Sequence, residues 1–275
     1  MKPLVLKFGG ELLEDRGHLG TVVQALARVT RAGRPVVVVH GGGKEIDAAL
    51  KTAGIEKRQV DGFRITDQAT LDVVISVLAG AVNTRFVAAL HGAGVPAVGL
   101  TGADGRCGLS TVAPPHRTVD GGVVDLDRVG VPDSAADVRV LHTLTRDGFV
   151  PVVACIGITR DGQLLNVNAD TLAGHLAARL GAERLVIAGT TAGVLDAAGV
   201  TLPALDSDAI AALVNDGTAT AGMIAKLRAC EQAVAGGVDA VVIVDGRDLA
   251  ALEGAAQSAS PARATVVSPV HEAKR

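Results

Sequence analysis

Uninterrupted runs of β-branched residues constrain this chain more than any other feature. Val36-Val37-Val38-Val39 and Val241-Val242-Ile243-Val244 leave no polar face. A strand apolar on both sides must be covered on both sides, as in a mainly parallel sheet between layers of helices. Similar runs fall at residues 4–8, 35–40, 97–100, 150–156, 184–188, 240–244 and 265–268. Amphipathic stretches lie between them at 19–31, 44–53, 67–91, 135–147, 169–180, 206–215 and 223–235. This alternation predicts an α/β fold. Two segments break the rhythm. Residues 107–127 carry the turn signals Pro114-Pro115 and Asp120-Gly121-Gly122, and 159–163 make a second tight turn, so both read as hairpins. Residues 257–264 read as a small-residue loop, and 271–275 as a frayed end. No linker divides the 275 residues, which read as a single domain.

Composition removes several function classes. With 48% hydrophobic and 20% charged residues the chain is an ordinary globular one. Its 26 Lys and Arg are spread along the sequence and the net charge is −3, so nucleic acid is not an expected partner. Four Phe, with no Trp or Tyr, make a poor stacking platform. Cys107, Cys155 and Cys230 are far apart, without metal-ligand spacing, and read as buried thiols of a cytoplasmic protein. No apolar run is read as reaching the roughly 18 residues a membrane span needs. No secretory signal is expected, because the basic start runs straight into Lys7-Phe8-Gly9-Gly10.

Three glycine clusters sit at predicted strand ends: Gly9-Gly10, Gly41-Gly42-Gly43, and Gly189 through Gly193. One such cluster merely turns the chain between strand and helix. Three at the carboxyl edge of one sheet, where α/β folds bind ligands, point to an anion held by backbone N–H groups. Neither the P-loop pattern nor the dinucleotide G-x-G-x-x-G is present, so the anion chemistry needs cations from elsewhere. Lys7, inside an apolar strand, needs an anion to balance it. Lys226 lies one turn into a helix. Phosphoryl transfer asks mainly for such fixed charges. Asn168 and Asp170 read as an N-cap and a first-turn acid, an account that leaves Asn166 unexplained. Arg64 is either a carboxylate clamp or an exposed loop residue.

In their order and spacing these segments resemble the amino acid kinase superfamily, and within it the acetylglutamate kinases. The segments are Lys7-Phe8-Gly9-Gly10, Val39-His40-Gly41-Gly42-Gly43, Gly62-Phe63-Arg64-Ile65-Thr66-Asp67, Asn166-Val167-Asn168-Ala169-Asp170 and Gly222-Met223-Ile224-Ala225-Lys226. The resemblance implies an open αβα sandwich with an N-lobe over about 1–164 for an acyl amino acid and a C-lobe over about 165–275 for ATP. It implies phosphorylation of N-acetyl-L-glutamate by MgATP, an arginine-biosynthesis step, with Mg2+ carried by ATP and no tightly bound cofactor. Lys7 and Lys226 would flank the phosphoryl group in flight, Asp170 would hold both lysines, and the Gly10 and Gly43 N–H groups would contact it. Arg64 would clamp the substrate α-carboxylate, with Gly42, Gly43 and Asn166 completing that site. Gly9, Thr190, Thr191, Gly193, Val194, Leu195, Thr220, Gly222 and Met223 would form the nucleotide site.

The chain departs from the family pattern at Thr190-Thr191-Ala192-Gly193 and at Ala221-Gly222-Met223, both in the expected nucleotide lobe. Competing readings are a kinase for carrier-protein-linked aminoadipate or glutamate, and a non-catalytic acyl-amino-acid or nucleotide sensor. Arginine-inhibited members of the resembled family carry an extra helix before the first strand, whereas here that strand starts by residue 4. The expectation is an arginine-insensitive homodimer. Its contact would be the helix at 67–91, through Leu71, Val74, Val77, Leu78, Val82 and Val87.

Overall fold

The computed structural model describes residues 1–118, 121–219, 221–257, 261 and 263–268. Thr220, the end at 271–275 and part of the 257–264 loop therefore lie outside the described residues. Eight strands form the main sheet: β1 (Leu4–Phe8), β2 (Val36–His40), β3 (Ala97–Thr101), β4 (Val150–Ala154), β5 (Arg184–Gly189), β6 (Ala204–Leu205), β7 (Ala240–Asp245) and β8 (Thr265–Val267). Their order is β6-β8-β7-β5-β1-β2-β4-β3. From β7 to β3 all neighbours are parallel, and β8 runs antiparallel to β7. The two valine runs are covered as their composition demands: none of their eight residues is more than 1% exposed.

The helices are α1 (Gly10–Glu14), α2 (Arg16–Arg31), α3 (Gly43–Thr52), α4 (Gln68–Gly92), α5 (Arg139–Arg146), α6 (Ala169–Arg179), α7 (Ser207–Asn215), α8 (Ala221–Ala235) and α9 (Leu249–Ala256). α2 packs with α9 and the end of α4, and α6 packs with α8 and crosses β1, β2 and β5. Alternation along β1 sorts these layers. Phe8 meets Phe86 of α4 edge to face, while its neighbour Lys7 meets Asp170 of α6. The result is an open αβα sandwich. Asn168 caps α6 by accepting from the Asp170 and Thr171 N–H groups, and Asp67 caps α4 by accepting from the Thr70 N–H.

Several expectations need correction. The strand expected at 150–156 ends at Ala154, and Ile156–Ile158 joins a separate sheet with Leu164–Val167, Val129–Pro132 and Ser110–Val112. The helix expected at 135–147 begins only at Arg139, because Asp133 and Asp137 accept from N–H groups two residues on and hold turns instead. α9 was not anticipated. α4 is α-helical over Gln68–Ile75 and Asn83–Gly92, but Ser76–Val82 between them is a π-helix. At 25 residues, α4 also has the length and mean hydropathy to cross a membrane, although Asn83-Thr84-Arg85 interrupts its apolar run. In the fold it packs on α2, β3 and β4.

Candidate active site

β5, β1 and β2 are adjacent, with Ala188, Phe8 and His40 in one register row. The three glycine clusters that follow these residues therefore emerge side by side. Gly10 starts α1 and Gly43 starts α3, so two helix N-termini face the same edge. Their approach is close: a Cβ on Gly10 would lie 2.5 Å from the Gly42 Cα.

Behind this edge stands a buried ion pair. Lys7 Nζ lies 2.8 Å from Asp170 Oδ1, with both side chains about a tenth exposed. Burial alone would push the ammonium down, but the adjacent carboxylate more than offsets this and leaves the Lys7 pKa above its ordinary value. Burial would likewise push Asp170 up, yet Lys7 and then Lys226 pull it below the usual carboxylate range. Lys226 comes from the second turn of α8. Burial pushes its pKa down, Asp170 attracts and Lys7 repels, and the net is below the ordinary lysine value. Asp170 has Lys7 at ion-pair distance, while among the described residues Lys226 has no carboxylate that close. Lys226 instead approaches Gly189 together with Glu11: a Cβ there would sit 3.6 Å from both Lys226 Nζ and Glu11 Oε1, so two carboxylates, Asp170 and Glu11, face the two lysines.

A cavity of about 340 Å3 opens next to this cluster, lined by Gly43, Arg64 and Asn166 together with Glu11, Lys44, Asp47 and Lys57. Arg64 is not an exposed loop residue; its side chain is 13% exposed. Its Nη2 donates to Asp47 Oδ1 and to the Gly43 carbonyl at 3.4 Å, while the buried Nη1 has no partner among the described residues. Asp47 also accepts from Lys57 at 2.8 Å. Asn166 donates from Nδ2 to Thr66 Oγ1 at 3.0 Å. An arginine with spare donor capacity, beside two lysines, suits a small carboxylate-bearing molecule.

A second cavity, about 210 Å3, is lined by Thr191, Gly193, Val194, Leu195 and Met223 among others. Gly193 has φ of 84°, and a Cβ there would lie 2.5 Å from Thr265 Oγ1, which itself accepts from the Val194 N–H. Thr190 and Gly222 do not line that cavity, and the Thr190 carbonyl accepts from Arg247. Gly9 lies instead under the Glu11 carboxylate, whose oxygens come 2.4–2.5 Å from where its Cβ would be. Glu11, Lys44, Asp47 and Lys57 were not singled out from sequence. Lys44 could have been, because it follows the Gly41–Gly43 cluster directly.

The sequence profile of the amino acid kinase family matches residues 2–245. An acetylglutamate kinase of Rhizorhabdus wittichii is 44% identical over 247 residues, 88% of this chain and 82% of that one. One of Acidiphilium cryptum is 42% identical over 250 residues, covering 89% and 83%. Among solved structures, N-acetylglutamate synthase from Neisseria gonorrhoeae, complexed with coenzyme A and N-acetyl-glutamate, superposes with a TM-score of 0.81 at 24% identity. That match covers 97% of this chain and 59% of the longer synthase. Giardia carbamate kinase gives 0.70 at 16% identity, covering 98% and 99%. These two show likeness of fold.

Proposed function

The chain belongs to the amino acid kinase family, and on that premise we propose that it moves the γ-phosphoryl group of ATP onto the γ-carboxylate of N-acetyl-L-glutamate. The products are ADP and N-acetyl-L-glutamyl 5-phosphate, a step of arginine biosynthesis in the cytoplasm. The observation that carries this reading is the pairing of a two-lysine cluster with an arginine-bearing cavity at one sheet edge, in a chain 39–44% identical to acetylglutamate kinases. Those relatives do not favour a carrier-linked substrate or a sensor.

In this reading the N-lobe, to about residue 164, holds the acyl amino acid and the C-lobe holds ATP with its Mg2+. The second cavity takes the nucleotide, with Thr191, Gly193, Val194, Leu195 and Met223 in its wall. Lys7 and Lys226 meet the charge on the phosphoryl oxygens in flight, and the Gly10 and Gly43 N–H groups approach the same oxygens. Asp170 fixes Lys7. The attacking group is a carboxylate with an ordinary pKa of about 4.3, already ionised at neutral pH, so no general base is needed. The decisive assay is ADP release in the presence of N-acetylglutamate, glutamate or N-acetylaspartate, with hydroxylamine trapping of the acyl phosphate. Release that does not depend on N-acetylglutamate would overturn the proposal.

Arg64 clamps the substrate α-carboxylate, and Asp47 sets the plane of its guanidinium. Lysine cannot reproduce that fork. Arg64→Lys is therefore expected to raise the KM for N-acetylglutamate about tenfold or more, on the scale of a charge-assisted hydrogen bond, with the KM for ATP within about twofold. Equal changes in both would make Arg64 a structural residue.

We further assign a two-fold homodimer through α4. Of the six residues named for that contact, Leu71, Val74, Val77, Leu78 and Val82 are buried within the chain, and Val87 is half-buried. What is left for a partner is the exposed side of α4 bordered by the half-buried Val73, Ile75, Ala79 and Val87. Light scattering should give twice the 27.7 kDa chain mass, and Ile75→Glu should reduce it to one. A monomer in the unsubstituted protein would refute the dimer.

A further inference from the structure

His40 ends β2 immediately before the Gly41–Gly43 turn, and it is fully buried. The chemistry proposed above does not use it, yet its ring is held on both sides. Nδ1 lies 3.2 Å from the Gly41 carbonyl oxygen and Nε2 lies 2.9 Å from Asn83 Nδ2. The same Asn83 nitrogen lies 2.9 Å from the Val152 carbonyl of β4.

These contacts fix the protons. A carbonyl can only accept, so the nitrogen of the Asn83 amide faces Val152 and donates one N–H there. Its other N–H points at Nε2, which is therefore the unprotonated ring nitrogen. The single proton of the neutral ring sits on Nδ1 and is donated to the Gly41 carbonyl. Burial, pushing His40 down to about 4, keeps the ring neutral.

Three further features shape this chain of contacts. Asn83 follows directly on the π-helical segment Ser76–Val82, the kind of local insertion that is enriched at functional sites. From that segment Leu78 and Val82 back onto the loop: a Cβ on Gly42 would lie 2.9 Å from Leu78 Cδ2 and 3.3 Å from Val82 Cγ2. On β3, a Cβ at Gly99 would come 2.1 Å from Asn83 Oδ1, so glycine there leaves room for the amide. Sheet, π segment and glycine turn thus converge on one buried pair.

We propose that His40 and Asn83 are positioning residues of the phosphoryl-transfer site: they hold the Gly41 carbonyl and thereby set where the Gly42 and Gly43 N–H groups point. This rests on the kinase reading. A group that only fills the core and satisfies Asn83 would work through Nε2, whereas a group that positions the loop works through Nδ1. Two substitutions separate these. The amide of His40→Asn reaches the Nδ1 position and can still donate to Gly41. That of His40→Gln reaches the Nε2 position and can still accept from Asn83.

The test measures turnover, both KM values and thermal midpoint for the two variants in the whole protein. His40→Gln is expected to turn over about tenfold more slowly than His40→Asn, consistent with the cost of small misplacements in a site, with the KM values of the two variants within about threefold. Equal turnover, a loss confined to KM, or turnover that follows the melting temperatures would overturn the proposal. An unsubstituted protein lacking N-acetylglutamate-dependent ADP release would sink the kinase reading and this inference with it. An active one whose two variants match would sink this inference alone.

Discussion

Lys226→Ala is expected to lower turnover by about a hundredfold or more, roughly 3 kcal/mol, the usual scale for removing one fixed charge or donor from a transition state. The folded protein should survive the change. Lys226 makes no ion pair among the described residues, it sits in a helix where alanine is a good replacement, and no buried anion loses its sole partner. Lys7→Ala is a poorer experiment, because it strands Asp170, at 9% exposure, without its adjacent cation. Breaking such a buried pair costs about 3–5 kcal/mol of stability and confuses folding with catalysis. Turnover near normal in Lys226→Ala would remove the phosphoryl clamp from the mechanism. The pH profile offers a second check. Lys226 is held below the ordinary lysine value and Lys7 above it. In the free enzyme rising pH therefore deprotonates Lys226 first, and the alkaline fall in kcat/KM, which reports the free enzyme, should begin below the ordinary value of about 10.4. Lys226→Arg should move that fall upward.

Gly10→Ala should be comparably severe for a steric reason. The added methyl lands 2.5 Å from Gly42 Cα and 3.1 Å from Gly42 N and C, all backbone atoms with no rotamer to change. Relief requires α1 and the second glycine turn to separate, which pulls apart the two N–H groups meant for one phosphoryl. A displacement approaching 1 Å in such a site costs on the order of a hundredfold in rate, and overpacking should also destabilise the fold by about 1–3 kcal/mol. Gly20→Ala is the control: its Cβ meets nothing within 4 Å, and a helical alanine should leave turnover unchanged. Comparable turnover in the two variants would show that the Gly10–Gly42 approach is incidental.

The strands and their glycine ends were legible because a strand buried on both faces must be written in consecutive apolar letters, and because tight strand-to-helix turns ask for missing side chains. The cap at Asn168 was legible for a similar reason, since short polar side chains at helix starts have a local purpose. What escaped depends on partners distant in sequence. Ser76–Val82 reads as ordinary helix, and nothing local shows that its Leu78 and Val82 will back onto Gly42, which lies across the fold. Asp47 reads as a solvated acid on α3 until Arg64 and Lys57 arrive against it. α9, rich in alanine and only eight residues long, carries almost no periodic signal. The Lys7–Asp170 pair was anticipated, but the greater distance of Lys226 was not, because spacing in a sequence carries no ångströms.

The placement of β1 between β2 and β5 has a consequence for how the chain is made. One edge of β1 pairs with residues that follow about thirty positions later, but Leu4 pairs on its other edge with Arg184. During synthesis that second edge stays unpaired until some 180 further residues have emerged. An open edge of a hydrophobic strand invites wrong pairing, and closing so long a loop is slow. The strand of this sheet that is made first is thus among the last to be completed. The nascent protein should need chaperone cover well past its midpoint, and refolding from denaturant should lose yield steeply as concentration rises.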